Sequence, residues 1–275
     1  MKRQMRNVYH VALSILIALY LTVSAHAATL HLFEPALTTD EFPSEEQELS
    51  VPPDVPNGWY PLRKAAEYLP FTIDWDSAER AIVIDSDATR MLRPYTATQR
   101  YKPSRIRAMA DDLKIVNGVA YCSPRFIVQH LGGIGFVHDG EVWCCTGAGD
   151  AETYIDGGDS PRFTLLMSTT LCRLYLAAYE DYTFVRANLS GGIRYVPPEE
   201  TDCCDALGYV YPVDEPVCYL VGDRYYGATL ASFVSHEAMH IAMYRQGITD
   251  SEDAAEQYEQ DVLYRLLADS IDQGR

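Results

Sequence analysis

Apolar and polar positions follow different periods along this chain, and the periods divide it into regions. A mostly apolar run without charged residues covers 11–23. Alternation over 71–76, followed by a short apolar segment at 81–84, predicts two strands. Beyond residue 160 apolar positions recur every three or four residues, which predicts helices over 161–180 and about 251–268.

The strand-forming part of the chain contains a weak internal repeat. Its first half, a short helix followed by two strands, returns about sixty residues later as a short helix to Leu131 and strands at 135–139 and 141–143. The later part of the chain adds short predicted strands at 182–186, 193–196 and 217–221. We therefore expect an α+β fold, in which a small α/β repeat domain precedes a compact domain of helices packed on a small sheet.

Composition suggests where these domains begin and end. The predicted organisation is a signal peptide (1–27), an acidic Pro-rich linker (28–56), the repeat domain (57–146), a Gly-rich linker (147–160) and the compact domain (161–275). The acidic linker holds seven Asp or Glu, five Pro and no Lys or Arg. A segment of that composition is expected to stay extended, because it has little apolar surface to bury.

The N-terminus has the layout of a secretory signal peptide. Basic residues at positions 2, 3 and 6 precede the apolar run, and Ala-x-Ala at 25–27 follows it. We expect cleavage near Ala28 and a secreted or cell-envelope protein with no stable membrane insertion afterwards. The alternative is an uncleaved anchor, because the run is only slightly short for a membrane span.

The chain is strongly acidic, with a formal charge of −17 from 22 Lys and Arg against 39 Asp and Glu. Removal of 1–27 takes away three basic groups and no acidic one, so 19 against 39 leaves −20. Such a chain is expected to repel phosphate backbones and anionic lipid headgroups. Nucleic acid and anionic membranes are therefore discounted as partners.

Seven cysteines follow the predicted signal peptide, including the adjacent pairs 144–145 and 203–204. Export permits disulfides, and an odd number leaves at least one thiol unpaired. Because no Cys-x-x-Cys is present, a zinc ribbon or a thioredoxin-like redox site is not expected. The sequence does not give the pairing.

The strongest candidate for chemistry is a His-Glu-x-x-His motif at 236–240. Apolar residues around it recur at helical spacing, and residues four apart share one face of a helix, so His236 and His240 can hold one metal ion together. Glu237 lies between them, where its carboxylate can reach a metal-bound water. The alternative is a chance motif with core histidines.

A catalytic zinc ion usually takes three protein ligands and leaves a fourth position to water. His240 is the last His or Cys of the chain, so a third ligand is expected from a carboxylate or from upstream. On the last predicted helix Glu252 and Glu259 fall within the apolar face and Glu256 lies at its edge. The alternative is that Glu252 only caps its helix, in a capping box with Thr249.

Two stretches resemble known families. The segments Pro61-Leu62-Arg63, 66–69 (Ala-Glu-Tyr-Leu) and Trp75-Asp76, with looser counterparts at 123–125 and 129–132, resemble the copper amine oxidase N-terminal-like domain of exported bacterial proteins. That resemblance covers roughly a third of the chain and implies a structural or surface-attachment module without copper chemistry.

The second resemblance concerns the last helix. Glu252-x-x-Ala255-x-x-Tyr258 is similar to the Glu-x-x-Ala-x-x-Phe helix of small gluzincins, whose first Glu completes the zinc site. It implies a zincin-like domain with Glu252 as third ligand and Glu256 as runner-up. The order of elements resembles a compact zincin metallopeptidase in which 217–221 is the edge strand that pairs with substrate.

These observations lead to the expectation of an exported zinc metallopeptidase. Zn2+ would activate a water, and Glu237 would accept its proton as the water attacks a peptide carbonyl. The expected substrate is a protein or peptide, extracellular or associated with the cell wall. The alternatives are a non-catalytic exported or cell-surface binding module with a zincin-like fold, and an amidase acting on cell-wall peptides.

Overall fold

The computed structural model describes most of the chain after its first 25 residues. The described ranges are 26–34, 42–86, 98–147, 154–200, 208–222 and 227–272. Helices and sheets are mixed throughout, which confirms the α+β class. The predicted signal peptide lies almost wholly outside the described residues. No helix in the described ranges is both long enough and apolar enough to span a bilayer.

The described residues of the first region (26–147) form ten short strands and three short helices. In chain order they are β1 (His26–Phe33), β2 (Ser44–Val51), β3 (Tyr60–Pro61), α1 (Leu62–Ala65), β4 (Phe71–Asp76), β5 (Ala81–Ser86), β6 (Thr98–Tyr101), α2 (Pro103–Ala108), β7 (Leu113–Val116), β8 (Val119–Cys122), α3 (Pro124–Val128), β9 (Gly135–His138) and β10 (Glu141–Cys145). The strands form sheets in the orders β4-β5-β6, β3-β8-β7 and β2-β1-β10-β9.

The predicted linker at 28–56 instead forms most of the β1–β2 hairpin. Its strands pair antiparallel, from His26 opposite Val51 to Phe33 opposite Ser44. Leu49 and Val51 are buried, while the acidic residues of β2 lie partly or fully in solvent. The composition hid this strand, because Glu46 and Glu48 lie on the side opposite Leu49 and Val51, and Glu45 lies near its exposed start.

The hairpin is tied to the end of the repeat. β1 pairs in parallel with β10, with Leu30 opposite Val142. Tyr60 is fully buried between them; its hydroxyl donates to the Thr29 carbonyl at 2.7 Å and accepts from the Val142 amide at 3.0 Å. Burial raises the pKa of Tyr60 above its usual range. The repeat and the strands before it therefore share one core.

In the second region (154–272), the part of the chain that the structure describes forms four α-helices beside a four-stranded sheet. In chain order they are β11 (Ile155–Asp156), α4 (Pro161–Ala177), α5 (Tyr179–Asn188), β12 (Gly192–Val196), a 3-10 turn (Pro198–Glu200), β13 (Gly208–Val210), β14 (Val217–Val221), α6 (Ala228–Arg245) and α7 (Glu252–Asp272). The sheet order is β11-β12-β14-β13, and only β13 runs antiparallel to its neighbour. The predicted Gly-rich linker is described only at its two ends, and β11 lies within it.

Two sequence predictions in this region are wrong. Residues 182–186 form part of α5 and not a strand, because Tyr182 and Val185 are buried three residues apart on one helical face. Segment 217–221 is a strand, β14, but it lies between β12 and β13 and is not the edge of the sheet. The edge beside the helix that carries the His-Glu-x-x-His motif is β13.

The two regions pack together through a continuous apolar core. Phe42, from the segment before β2, lies 5.5 Å from the ring of Tyr175 and 6.0 Å from that of Tyr182. The cysteines of the described ranges are buried and have free thiols: Cys122, Cys144, Cys145, Cys172 and Cys218. The pair at 203–204 lies outside the described residues.

Candidate metal centre

Helix α6 carries the His-Glu-x-x-His motif and is called the motif helix. It ends before a glycine, and the chain then turns back across the face that carries His236 and His240. Gly247 has φ +67°, and the Ile248 amide donates to the Met243 carbonyl at 3.0 Å. This six-to-one bond is typical of a glycine-terminated helix. A short connection then leads into α7, and the two helices pack against each other.

The segment between α6 and α7 also provides the N-terminal cap of α7. The Ser251 hydroxyl accepts from the Ala254 amide at 3.4 Å, and the Ser251 carbonyl accepts from the Ala255 amide at 3.2 Å. Ser251 thus occupies the cap position and Glu252 is the first residue of the helix. The side chain of Glu252 faces the two motif histidines.

Three potential ligand side chains converge between α6 and α7. The Nε2 atoms of His236 and His240 lie 3.0 Å apart. Glu252 places Oε2 3.4 Å from the first of them and Oε1 3.7 Å from the second. Within the described ranges these three residues form the group of His, Cys, Asp and Glu that could hold a metal ion, with all ligand atoms within 4.8 Å.

The spacing of these atoms fits a zinc ion. Tetrahedral zinc bonds of about 2.0–2.2 Å to nitrogen and oxygen hold neighbouring ligand atoms about 3.3–3.6 Å apart. The two Nε2 atoms are slightly closer than this, at 3.0 Å, and the distances of 3.4 and 3.7 Å from them to the two different oxygens of Glu252 lie close to the range. Two imidazoles and one carboxylate are also a donor set of known catalytic zinc sites. The residues present therefore fit the group.

A carboxylate lies near the Nδ1 atom of each of the two imidazoles, on the side away from the Nε2 atoms. Asp250 Oδ1 lies 2.6 Å from Nδ1 of His240. Glu259 Oε2 lies 3.1 Å from Nδ1 of His236, within ion-pair distance but without the alignment of a hydrogen bond. Carboxylates in these positions favour a proton on Nδ1 and leave the Nε2 lone pair for a metal. Sequence analysis singled out Glu259 only as core-facing and missed Asp250.

Glu237 occupies the position expected of a proton acceptor. Its side chain is 6% exposed and lines the same cleft as the two histidines, without being one of the three clustered groups. Burial raises the pKa of Glu237 to about 7; His240 lowers it, and nearby carboxylates raise it. A cation held at the Nε2 atoms would lower this pKa again, since positive charge favours the carboxylate.

The cleft beside these groups has a volume of about 670 Å3. One wall is β13, which comes close to α6 at Gly208: a Cβ there would lie 2.8 Å from Phe233 Cε1 and 2.8 Å from the Tyr219 carbonyl oxygen. Phe233 in turn stacks parallel to the His236 ring, at 6.1 Å between centroids. Glycine at 208 therefore lets the edge strand approach the motif helix.

Glu256, the second candidate for the third ligand, does not belong to the cluster. Glu256 is exposed, whereas Glu259, seven residues after Glu252, returns to the same helical face and is 29% exposed. The helical wheel had placed both Glu252 and Glu259 on that face.

Comparison with known proteins bears on the first region. A family model described as the copper amine oxidase N-terminal domain matches residues 45–135, about a third of the chain. The match starts in β2 and ends at the first residue of β9. It therefore begins and ends earlier than the predicted domain (57–146), and it does not include the cluster of His236, His240 and Glu252. No match is found among curated proteins. None is found among solved structures.

Proposed function

We propose that this chain is an exported zinc-dependent metallopeptidase. The observation that carries the proposal is the convergence of His236, His240 and Glu252 beside a buried carboxylate that is not a ligand. The predicted signal peptide supports export. A carboxylate from a different helix beside the two histidines supports a metal site more strongly than the motif alone does.

The roles of the side chains follow from their positions. His236, His240 and Glu252 would hold the ion, and Asp250 would keep the His240 imidazole in the tautomer that offers Nε2. A bound zinc ion supplies a Lewis acid and lowers the pKa of water toward neutrality. Glu237 would take a proton from the attacking water on its carboxylate and later pass it to the leaving amine.

The edge strand suggests how a peptide would lie in the site. β13 is the terminal strand of its sheet and borders the cleft that contains Glu237. An extended peptide could add to this edge, with its backbone amides and carbonyls satisfied by strand pairing. This strand takes the role that sequence analysis gave to 217–221.

Metal content tests the ligand assignment. The purified protein should bind about one equivalent of zinc by elemental analysis, and Glu252→Ala should lose most of it. Glu256→Ala is the matched control, because that glutamate is one turn further along the same helix and exposed. Equal zinc in all three proteins would remove Glu252 from the ligand set, and no zinc in the parent would refute the proposal.

Turnover is tested at Glu237. Glu237→Gln keeps the volume of the side chain but not the proton acceptor, so zinc should remain while peptide hydrolysis falls at least about a hundredfold. Zinc binding with no hydrolysis by the parent would instead favour an exported binding module with a zinc site.

A further inference from the structure

The cleft beside the metal group carries exposed apolar side chains, which is unusual for a polar site. Tyr244 is 60% exposed and Ile248 is 53% exposed, and both line this cleft. Exposed large apolar side chains gathered at a concave surface commonly mark a binding site. We call Tyr244 and Ile248 the apolar rim.

The position of the rim follows from the helix. Tyr244 comes four residues after His240 and eight after His236, so all three lie on one stripe of α6. Ile248 follows the glycine that ends the helix and is fixed by its bond to the Met243 carbonyl. The rim therefore extends the ligand stripe directly, one turn beyond the second histidine.

The opposite wall of the cleft is also apolar. It is formed by β13 and the residues after it, and its cleft-lining members include Tyr209, Val210 and Pro212. Tyr209 stacks on Tyr219 of the next strand at 5.0 Å between centroids, which holds its ring against the sheet. Two apolar walls thus face each other across the end of the ligand stripe.

The charge of the side chains that line the cleft predicts which peptides should bind poorly. Among its described lining residues there is no Lys or Arg, while Asp250 and Glu252 are 69% and 73% exposed. An acidic side chain at the rim, one turn beyond the proposed zinc ligands, would lie near these carboxylates with no Lys or Arg to pair with it.

We infer that the site selects extended peptides that present a large apolar or aromatic side chain next to the scissile bond, seated between the apolar rim and β13. This inference rests on the proposed function and names its substrate class. Burial of such a side chain against Tyr244 and Ile248 would favour these peptides over alanine-containing ones about tenfold to a hundredfold.

The test uses three hexapeptides of Ala and Gly that differ at one central position, which is Phe, Ala or Asp. Their dissociation constants are measured by calorimetry on zinc-loaded Glu237→Gln, and their kcat/KM values on the parent protein. We expect the order Phe, then Ala, then Asp in both measurements. Equal binding of all three peptides, or preference for Asp, would overturn the inference.

Two variants assign the preference to the rim. Tyr244→Ser with Ile248→Ser should remove most of the preference for Phe over Ala while leaving zinc content unchanged, because both side chains are already exposed and neither is a ligand. Tyr264→Ser, which changes a 67% exposed tyrosine of α7 outside the cleft, is the control. A Phe preference that persists in the rim variant would overturn the inference.

The two proposals fail in different ways. If the parent hydrolyses no peptide but the Glu237→Gln protein still prefers the Phe peptide, the peptidase proposal fails and the binding preference stands. If hydrolysis occurs at equal rates for all three peptides, the peptidase proposal stands and the rim has no role in selection.

Discussion

Asp250 Oδ1 lies 2.6 Å from Nδ1 of His240. This contact links the segment between α6 and α7 to one of the two candidate metal-binding histidines. The contact depends on the abrupt end of α6 at Gly247, which turns the chain back over its ligand face. Because the carboxylate lies behind the imidazole, it orients the ring without occupying a ligand position.

Removal of this carboxylate should weaken metal binding and not abolish it. We predict that Asp250→Asn lowers zinc affinity about tenfold to a hundredfold, as loss of outer-shell carboxylates does elsewhere. Competition with a chromogenic chelator measures the affinity. Asp253→Asn, an exposed carboxylate three residues later, is the control and should bind zinc like the parent. Equal affinities for both variants would show that His240 is held by other contacts.

The contact between the edge strand and the motif helix gives a second prediction. Gly208→Ala would place a methyl group 2.8 Å from Phe233 and from a backbone oxygen of the neighbouring strand. Overpacking of this kind should lower the free energy of unfolding by about 1–3 kcal/mol and move β13 away from α6. Urea denaturation measures the first effect, and kcat/KM for the Phe peptide reports the second.

Gly147→Ala is the matched control for this substitution. A Cβ there meets only the side chain of Glu34, which is exposed and can move aside. The control should therefore unfold within about 0.5 kcal/mol of the parent. Similar losses in both variants would mean that replacement of glycine, and not the close approach at 208, causes the effect.

The approach of the two histidines could be predicted because its geometry is local. Four-residue spacing on a helix brings His236 and His240 together whatever the rest of the fold. The apolar face of the last helix offered both Glu252 and Glu259, and only the resemblance to small gluzincins favoured Glu252. Asp250 could not be predicted in this way, because its contact depends on the path of the chain after Gly247. No periodicity marks a side chain in a connection.

The errors in the fold have similar causes. Average composition hid the strand at Ser44–Val51, where three exposed glutamates precede the buried Leu49 and Val51. Five residues at 182–186 fit both periods, and only their packing decides for a helix. The edge position was assigned to 217–221 because β13 is three residues long, too short to leave a clear pattern in the sequence.

A contact between the two regions gives a third prediction. Asp269 Oδ1 on α7 lies 3.6 Å from Nδ1 of His138 on β9, and its charge also acts on Arg173, which is 9% exposed. Burial lowers the pKa of Arg173, and Asp269 opposes that shift. The carboxylate thus compensates a buried cation where the regions meet.

Asp269→Asn should leave the Arg173 charge less compensated and lower the free energy of unfolding by about 2–4 kcal/mol. Urea denaturation followed by circular dichroism measures it. Asp261→Asn, an exposed aspartate of the same helix, should cost less than about 0.5 kcal/mol. If Asp269→Asn lowers the free energy of unfolding no more than Asp261→Asn does, other groups compensate the charge of Arg173.

The last prediction concerns acid stability and His130, which is 1% exposed in the core of the first region. Burial lowers the pKa of His130 to about 4, while the unfolded chain should titrate near the ordinary value of about 6.5. Below pH 6.5 the unfolded state therefore binds more protons than the folded state, so stability is lost as the pH falls toward 4, by up to about 3 kcal/mol. Urea denaturation across this range should give a shallower pH dependence for His130→Gln than for the parent. Parallel curves would mean that the imidazole takes up its proton in the folded protein.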